Sequence, residues 1–583
     1  MTPPSFIGLL RGRLPGSRLP RPRLARRLQA SVVLVVLVGL VGLGLTLPTG
    51  AGSTAAAAGS RTSAPILAAD YFGTASPINV WGSDTSGAAA TFAQMKADGF
   101  NTVGLVLPWG DFEPGLTPVR FNQSAFAQLD QLIGIARSQH LGVILRLSYD
   151  WDVDPADQLA WGARFAVLGS NPAVYQAWLS YISKVHQNVA RFANVRLGYL
   201  SWEDYWLPVE GAQQITSTPQ QIALASSSGY RQWLRGAYSL SRVSSMYGTH
   251  FATWAAVPTP SYTSPSFRLM YQFDDWLLVH KLFDPAAKRF PGLELEARVD
   301  VDPVYGGSQV VGSYSHADTF RLPGAKFVGT YFSPYMGDPS SAHSETASEA
   351  LAGLGSTLSH VSAQSGGRPL FIFEFEIVSN TPVVASDPSL SPTQVSSFVQ
   401  QAEPALHQYT NGYALFTYRD FNLSPVDNPS FSSGLGGWSA QGPVSTGTEP
   451  DGSSYASLGT GASLTQTVPP NRLTLSGSDP VTVSMQAMAP AGSAPIELQL
   501  GNAPARTVTA GGTWQTLSVT VPQAELGNGA LVIRAGSAVR VSAVQLYGFT
   551  QQSDLYSTTG TPESAVASMT GLNEQLAAAG TSK

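Results

Sequence analysis

The segment PLFIFEFE, residues 369–376, decides the fold that we predict for this chain. Five of its eight residues are large and apolar, without the regular polar alternation of a strand that has one face in water. Such a run is typical of a strand buried on both faces of a parallel sheet. A carboxylate inside it is costly unless it has a partner or a chemical task. Glu374 and Glu376 share a face by the two-residue period of a strand, so both are candidate functional residues.

Similar apolar runs lie on both sides of this segment and alternate with amphipathic stretches. In chain order, the eight predicted strands are 78–81, 102–107, 143–148, 196–202, 293–299, 327–332, 370–376 and 413–418. The predicted helices are 87–98, 122–139, 172–193, 219–246, 266–284, 342–363 and 392–409. Eight strands alternating with helices predict an α/β fold, a (β/α)₈ TIM barrel with insertions over residues 71–427.

One further apolar run, Phe251–Val257, does not fit this count. We interpret it as an irregular excursion between two helices, because Pro258 and Pro260 close it abruptly. If it were a barrel strand, the numbering of the fifth and sixth strands would change.

The sequence changes character at about residue 428. Short strands separated by Gly, Ser and Pro turns follow at 481–485, 496–500, 516–521, 530–534 and 539–546. Their spacing predicts an all-β, jelly-roll-like sandwich over residues 428–550. Residues 551–583 are small and polar and form a predicted tail, with a candidate short helix at about 562–579.

The N-terminal region is typical of an export signal. Seven arginines lie within residues 1–29, an uncharged apolar run follows at 30–47, and residues 48–70 have the composition of a flexible linker. A basic flank before an apolar segment indicates export with the arginines left in the cytoplasm. The run is long for a cleaved signal and barely long enough to span a bilayer, so cleavage and membrane anchoring remain open.

Composition excludes several classes of function. The chain has 583 residues, 43% of them hydrophobic and 12% charged, with a net charge of −5. Without the seven N-terminal arginines, 26 basic residues face 38 acidic ones, which argues against nucleic acid as a partner. The absence of cysteine excludes disulfides, thiolate metal sites and a cysteine nucleophile. The eight scattered histidines show no metal-binding spacing, and we predict neither a metal nor a cofactor.

The predicted barrel indicates where chemistry occurs, because reacting groups lie at the C-terminal ends of the strands. The fourth predicted strand ends in Ser201-Trp202-Glu203-Asp204 and the seventh carries Glu374. Carboxylates from these two strands would face each other across the barrel mouth, which is the arrangement that glycoside hydrolysis uses. The alternative for Glu374 is a buried ion pair with an arginine such as Arg146 or Arg298.

Three segments resemble clan A of the glycoside hydrolases, which are retaining (β/α)₈-barrel enzymes. They are LVLPWGDFEP at 105–114 with the helix after it, LGVILRL at 141–147, and PLFIFEF at 369–375. The segment at 248–300 is loosely similar to the family 42 β-galactosidases. The resemblance implies that Glu203 is the acid/base and Glu374 the nucleophile. Glu376 would be the nucleophile if the strand were read two residues later.

The sequence departs from the clan at the fourth strand. Clan members usually have Asn before the acid/base residue, where it binds the 2-hydroxyl of the sugar, and here Trp202 stands in its place. Asp204 is a candidate substitute. Because sugars stack on flat rings, aromatic residues near strand ends are candidate subsite residues, although core packing is the more ordinary role of each ring. The predicted substrate-binding residues are Trp81, Trp109, Arg146, Trp202, Asp204, Tyr331, Glu376 and Tyr418.

The start of the predicted sandwich resembles jelly-roll carbohydrate-binding modules. Asn428-Pro429-Ser430-Phe431 followed by Gly436-Gly437-Trp438 matches their opening pattern. Candidate sugar platforms are Trp438, Tyr455, Trp514 and Tyr547, with core packing the stronger expectation for Trp438 and Trp514.

The sequence therefore predicts an exported retaining glycosidase that acts on an extracellular or cell-envelope poly- or oligosaccharide. Two alternatives use the same barrel. One is a non-catalytic carbohydrate-binding envelope protein, which Trp202 favours, and the other is a transglycosylase.

Overall fold

A computed structural model describes most of residues 64–581. The residues in this range that it leaves out are 74–79, 83–84, 150, 153–159, 162, 206, 298–302, 308, 323, 335–344, 367, 378–389, 423, 425, 432–433, 469–479, 528, 548–549, 552 and 554. The predicted export segment at 30–47 lies outside the described residues, and so does the candidate ion-pair partner Arg298. Among the described helices, none combines the length and apolarity needed to cross a membrane.

Eight parallel strands close into a barrel, which confirms the predicted fold class. In chain order they are β1 (Ile66–Asp70), β2 (Thr102–Pro108), β3 (Gly142–Tyr149), β4 (Val195–Ser201), β5 (Leu293–Ala297), β6 (Val328–Phe332), β7 (Leu370–Phe375) and β8 (Thr410–Leu415). Nearly every residue of these strands is buried, as continuous apolar runs predict. Their C-terminal ends form one opening, which we call the mouth.

The first strand is not the one that the sequence predicted. The segment that we took as the first strand, at 78–81, ends in a turn of 3₁₀-helix at Val80–Gly82. Instead, β1 lies inside the predicted linker and pairs in parallel with β8 and β2. Its sequence, ILAAD, follows a stretch rich in Ala, Gly and Ser, so composition hid it. The barrel therefore begins at about residue 66 rather than 71.

Helices cover the outside of the barrel between consecutive strands. Their bounds are Ala88–Ala97, Trp109–Phe112, Gln123–Ser138, Ala163–Leu168, Pro172–Val189, Leu207–Gln214, Thr218–Ser227, Tyr230–Ala237, Leu240–Tyr247, Arg268–Trp276, Asp284–Ala287, Ala317–Phe320, Ala347–Gln364, Pro392–Gln401 and Glu403–Tyr409, with a π-helix at Leu277–Phe283. The long helix predicted at 219–246 is divided into three. Gly229, in a left-handed conformation with φ of 86°, separates the first two, and the extended backbone at Tyr238 and Ser239 separates the second from the third. The apolar run at 251–257 contains only a 3₁₀ turn at Trp254–Ala256, which confirms its interpretation as an irregular excursion.

Short antiparallel hairpins extend three of the strand-to-helix connections. They pair Gly115–Leu116 with Val119–Arg120, Trp151–Asp152 with Ala160–Trp161, and Pro303–Gly306 with Gln309–Ser313. Because they follow β2, β3 and β5, they leave the barrel from the mouth end.

The predicted sandwich is also confirmed, as two five-stranded antiparallel sheets around their own apolar core. In spatial order, the first contains Ser439–Gln441, Ser463–Thr467, Ala530–Ala535, Ser493–Leu500 and Arg506–Gly511, and the second contains Val444–Thr448, Ser454–Leu458, Val539–Tyr547, Val481–Met488 and Gln515–Val521. A two-residue ladder between Phe421–Asn422 and Thr550–Gln551 brings the two ends of the sandwich together beside the barrel.

The candidate helix predicted at about 562–579 is present, as Val566–Thr581, but residues 551–583 do not form a separate polar tail. Helix Val566–Thr581 packs on the helices at Pro392–Gln401 and Glu403–Tyr409. Its buried Asn573 accepts a hydrogen bond from the Tyr413 hydroxyl on β8 at 2.6 Å and donates to the Asp98 carbonyl at 2.9 Å. This helix therefore occupies the place of the eighth barrel helix, and the sandwich is an insertion between β8 and that helix. Its small, polar composition concealed an apolar stripe of Met569, Leu572 and Leu576.

Candidate active site

One arginine joins the candidate catalytic residues inside the barrel. Arg146 on β3 donates from Nη1 to Glu374 Oε1 at 3.0 Å and from Nη2 to Glu203 Oε2 at 2.8 Å. It also contacts both oxygens of Asp204, at 3.3 and 3.4 Å. The ion pair considered as the alternative for Glu374 is therefore present. Arg146 also contacts Glu203, so the two carboxylates of the candidate site share one guanidinium.

A bulge in β7 turns Glu374 toward this arginine. The pairing of β6 with β7 shifts between Thr330, which lies opposite Ile372, and Tyr331, which lies opposite Glu374, so Phe373 is an extra residue. Phe373 belongs to the apolar cluster inside the barrel, and Glu374 also reaches the interior. A bulge thus places two consecutive side chains on one face, which strict alternation forbids.

The two glutamates differ in their access to solvent. Glu203 lies in a 3₁₀ turn, Trp202–Tyr205, directly after β4, and 22% of its side chain is exposed. Only 5% of the Glu374 side chain is exposed. Glu203 therefore lies nearer to solvent, and Glu374 lies deeper.

Two further carboxyl groups lie close to this pair. Burial raises the pKa of Asp204 well above its ordinary value, and Arg146 opposes the shift. Burial and the charge of Glu374 likewise raise the pKa of Asp70, at the end of β1. The Asp70 carboxyl fills space where a side chain at Gly104 would stand, since a Cβ there would lie 1.8 Å from its Oδ1. We did not predict Asp70, because its strand was assigned to the linker.

Replacing Arg146 by methionine should destabilise the protein by about 3–5 kcal/mol. The change leaves Glu203, Asp204 and Glu374 in the interior without their counter-charge. Urea unfolding at pH 7 measures the loss, and the loss should shrink at pH 5, where the carboxyl groups become neutral more easily. Arg191→Met is the control, because Arg191 pairs with Asp130 at the surface and is 59% exposed. Equal losses for the two variants would contradict the role of Arg146.

Four predicted substrate-binding residues have other roles in the structure. Trp109 is fully buried against Phe165, so no sugar reaches its ring. Tyr418 is also buried, and its hydroxyl donates to Asp98 at 2.5 Å, away from the glutamate pair. Asp204 and Arg146 are buried and bind each other, and their contact with a sugar stays a prediction.

The other four predicted substrate-binding residues are Trp81, Trp202, Tyr331 and Glu376. Trp81 is buried on Phe112 and donates its indole N–H to the Val106 carbonyl at 2.8 Å. Trp202 is buried next to Glu203, with its ring 6.1 Å from that of His316. Tyr331 lies opposite Glu374 in the β6–β7 register. Glu376 is half-buried just after β7, and its backbone N–H donates to the Phe332 carbonyl at 2.8 Å. Their contact with a sugar stays a prediction.

A buried His–Asp pair adjoins this group and was not predicted. His316 Nδ1 lies 2.7 Å from Asp275 Oδ1, and both side chains are buried. Because His316 packs on Trp202, the pair supports the wall beside Glu203. Within the described part of the chain, no three His, Asp or Glu side chains are grouped to hold a metal ion.

Stability should fall as pH rises from about 5 to 8. Burial raises the pKa of Glu113 from 4.5 to about 8 and that of Glu294 to about 7. A carboxyl group whose pKa is higher in the folded than in the unfolded protein stabilises the fold at pH values below its pKa in the unfolded protein. This stabilisation is lost as the pH rises through its pKa in the folded protein. Urea unfolding at pH 5, 6, 7 and 8 checks the slope, and the double variant Glu113→Gln, Glu294→Gln should flatten it. Stability that increases over this window would contradict the assignment.

The sandwich aromatics divide into core and surface residues. Trp438 is buried against Phe431 and donates to the Asn428 carbonyl, as its expected core role requires. Trp514 is half-buried and outside the sandwich core, so the expectation that it fills the core is wrong. Its ring lies 6.2 Å from that of Tyr455, on whose ring Arg540 packs at 4.6 Å. The side chain of Tyr547 lies outside the described residues.

Comparison with known proteins gives matches to solved structures. No family model matches the sequence, and no curated protein matches it. A β-galactosidase from the psychrophilic Marinomonas ef1 is 13% identical, covering 60% of this chain and 54% of that chain with a TM-score of 0.40. A β-galactosidase from Bacillus circulans sp. alkalophilus is 12% identical, covering 61% and 50% with a TM-score of 0.41. GH5_18 from Streptomyces cattleya in complex with GlcNAc is 14% identical, covering 61% and 71% with a TM-score of 0.38. This chain therefore spans about half the length of the two β-galactosidases that it matches.

Proposed function

We propose that the protein is a retaining glycosidase in which Glu203 is the acid/base and Glu374 the nucleophile. The observation that carries this proposal is the single buried guanidinium of Arg146, which contacts carboxylates from the C-terminal ends of β4 and β7. In barrels of this type the reacting groups stand at that end. An ion pair with a purely structural role needs only one carboxylate. The Arg146 guanidinium contacts not only Glu374 but also Glu203, whose side chain is 22% exposed.

The reaction divides into two displacements. In the first, a Glu374 oxygen attacks the anomeric carbon, and the bond to the leaving oxygen breaks as Glu203 gives that oxygen its proton. In the second, Glu203 takes a proton from water, and the water oxygen displaces Glu374 from the anomeric carbon. Arg146 holds the Glu374 carboxylate in place for attack through the hydrogen bond from Nη1 to Oε1 at 3.0 Å.

The separation of the two carboxyl groups distinguishes retention from inversion. Inverting enzymes keep their carboxyl groups about 6.5–9.5 Å apart to admit a water, and retaining enzymes about 5–5.5 Å. Here each glutamate lies within 3.0 Å of a different terminal nitrogen of one guanidinium. A bridge of this kind accommodates the shorter separation, which direct attack by Glu374 requires.

The substrate in this proposal is a poly- or oligosaccharide outside the cytoplasm. Export is supported by the arginine-rich segment and the apolar run at 30–47. A sugar polymer is supported by the sandwich, whose opening residues resemble carbohydrate-binding modules. Cell fractionation with mass analysis of the N-terminus tests export and separates cleavage from anchoring.

A screen of glycans with the chain from residue 60 onward tests the activity. New reducing ends, with an anomeric configuration that NMR shows to be retained at first release, are the expected result. Transfer products that replace hydrolysis at high acceptor concentration would favour a transglycosylase. Affinity for glycans without bond cleavage would favour a non-catalytic binding protein, the alternative to which Trp202 points.

A further inference from the structure

The last residue of β3 covers the arginine of the candidate site. The Arg146 guanidinium carbon lies 4.7 Å from the centroid of the Tyr149 ring. Arg146 is only 2% exposed, whereas Tyr149 is half-buried. The ring therefore stands between the guanidinium and the outside of the site.

An unusual backbone conformation sets this position. Ser148 has φ of 68°, in the left-handed region that residues other than glycine seldom adopt. It is the extra residue of a bulge, since Leu107 pairs with Leu147 and Pro108 pairs with Tyr149. The bulge re-aims the next side chain, and Tyr149 comes to lie over Arg146.

The helix at Pro172–Val189 holds this strained residue in place. Trp178 donates its indole N–H to Ser148 Oγ at 2.9 Å, and the Ser148 backbone N–H donates to the Tyr181 hydroxyl at 3.1 Å. Tyr181 in turn donates to the Leu107 carbonyl at 2.7 Å. A strained backbone conformation that several hydrogen bonds hold in place is typical of a functional position.

The Tyr149 hydroxyl lies in the field of the reacting groups. Burial raises its pKa well above the ordinary value, an effect that Arg146 opposes and that the carboxylates Glu203, Asp204 and Glu374 reinforce. The hydroxyl therefore stays neutral. The titratable groups that face Arg146 and Tyr149 from the surrounding strands are Asp70, Tyr199, Glu203, Asp204 and Glu374, and Glu296 lies beyond them beside Tyr199 and Asp204.

We propose that Tyr149 is a positioning residue for the reaction proposed above, on which this inference rests. Its ring keeps water from the Arg146 guanidinium and so strengthens the hold of Arg146 on Glu203 and Glu374. Charge interactions weaken steeply as water enters, and an aromatic face replaces part of the lost hydration of a cation. Without the ring, water reaches the Arg146 guanidinium, and its contacts with Glu203 and Glu374 weaken.

Kinetics of three variants test this role. Tyr149→Leu should lower kcat about 10- to 30-fold with little change in KM. Tyr149→Phe retains the ring and should stay within about threefold of the unchanged protein. Phe192→Leu is the control, because Arg191 packs on that half-buried ring at 4.9 Å away from the glutamates. An unchanged kcat in Tyr149→Leu would overturn the proposal, and so would a Phe variant as impaired as the Leu variant.

Hydrogen exchange gives a readout that does not depend on activity. With ¹⁵N-labelled arginine, NMR should show slow exchange of the Arg146 guanidinium protons in the unchanged protein and in Tyr149→Phe. Exchange should be faster in Tyr149→Leu and in Tyr149→Met at a melting temperature close to that of the unchanged protein. If no glycan is hydrolysed but exchange follows this order, the proposed function fails while the covering role of the ring stands. Equal exchange in all variants would refute the covering role even in an active enzyme.

Discussion

Replacing Glu374 by glutamine should lower kcat/KM by on the order of 10⁴- to 10⁶-fold. The amide keeps the size of the side chain and most of its contact with Arg146, but it cannot form the glycosyl intermediate. Labelling by a mechanism-based fluorosugar should disappear as well. Steady-state kinetics on the glycan found by screening, with mass spectrometry of the labelled protein, measures both effects.

Glu376→Gln is the matched control for this variant. Glu376 follows two residues later at the same end of β7, but it is half-buried and lies beyond the bulge that turns Glu374 toward Arg146. We expect this variant to retain labelling and to lose less than about 100-fold in kcat/KM, as a supporting residue would. If Glu376→Gln abolishes labelling and Glu374→Gln does not, Glu376 is the nucleophile.

The barrel could be predicted because its strands are buried on both faces. Continuous apolar runs such as LFIF in β7 and GVIL in β3 are recognisable without any alignment. Strand β1 could not be recognised in this way, because ILAAD is short, contains two alanines and follows a linker-like stretch. That failure also hid Asp70, the acidic residue that ends the strand.

The residue types of the site could be predicted, but the directions of its side chains could not. Carboxylates in apolar strands indicate function, and Arg146 was recognised as a candidate partner of Glu374. Two bulges then decide which side chains enter the barrel, at Phe373 in β7 and at Ser148 in β3. A bulge changes the register by one residue, and the local composition does not predict where a bulge occurs. Tyr149 was missed for this reason.

A chain that ends at Glu563 should fail to fold into a stable barrel. It lacks helix Val566–Thr581, which buries Met569, Leu572 and Leu576 and places Asn573 between β8 and Asp98. Burial of three large apolar side chains contributes about 5–9 kcal/mol, which is comparable to the whole stability of a typical domain. Circular dichroism and proteolysis should show an unfolded or molten chain. Glu574→Ala is the control, because Glu574 lies on the exposed side of the same helix.

Deletion of the sandwich should show that the helix, and not the sandwich, is essential for folding of the barrel. Strand residues Phe421–Asn422 pair with Thr550–Gln551, so the two ends of the sandwich already lie side by side. Replacing 428–549 by a short Gly/Ser turn should therefore leave a folded barrel that retains Glu203 and Glu374. The hydrogen bond that Arg120 of the barrel donates to Thr448 of the sandwich at 2.6 Å is exposed, so its removal costs little stability. A barrel that unfolds on this deletion but tolerates the removal of 564–583 would overturn the assignment of residues 566–581 as the eighth barrel helix.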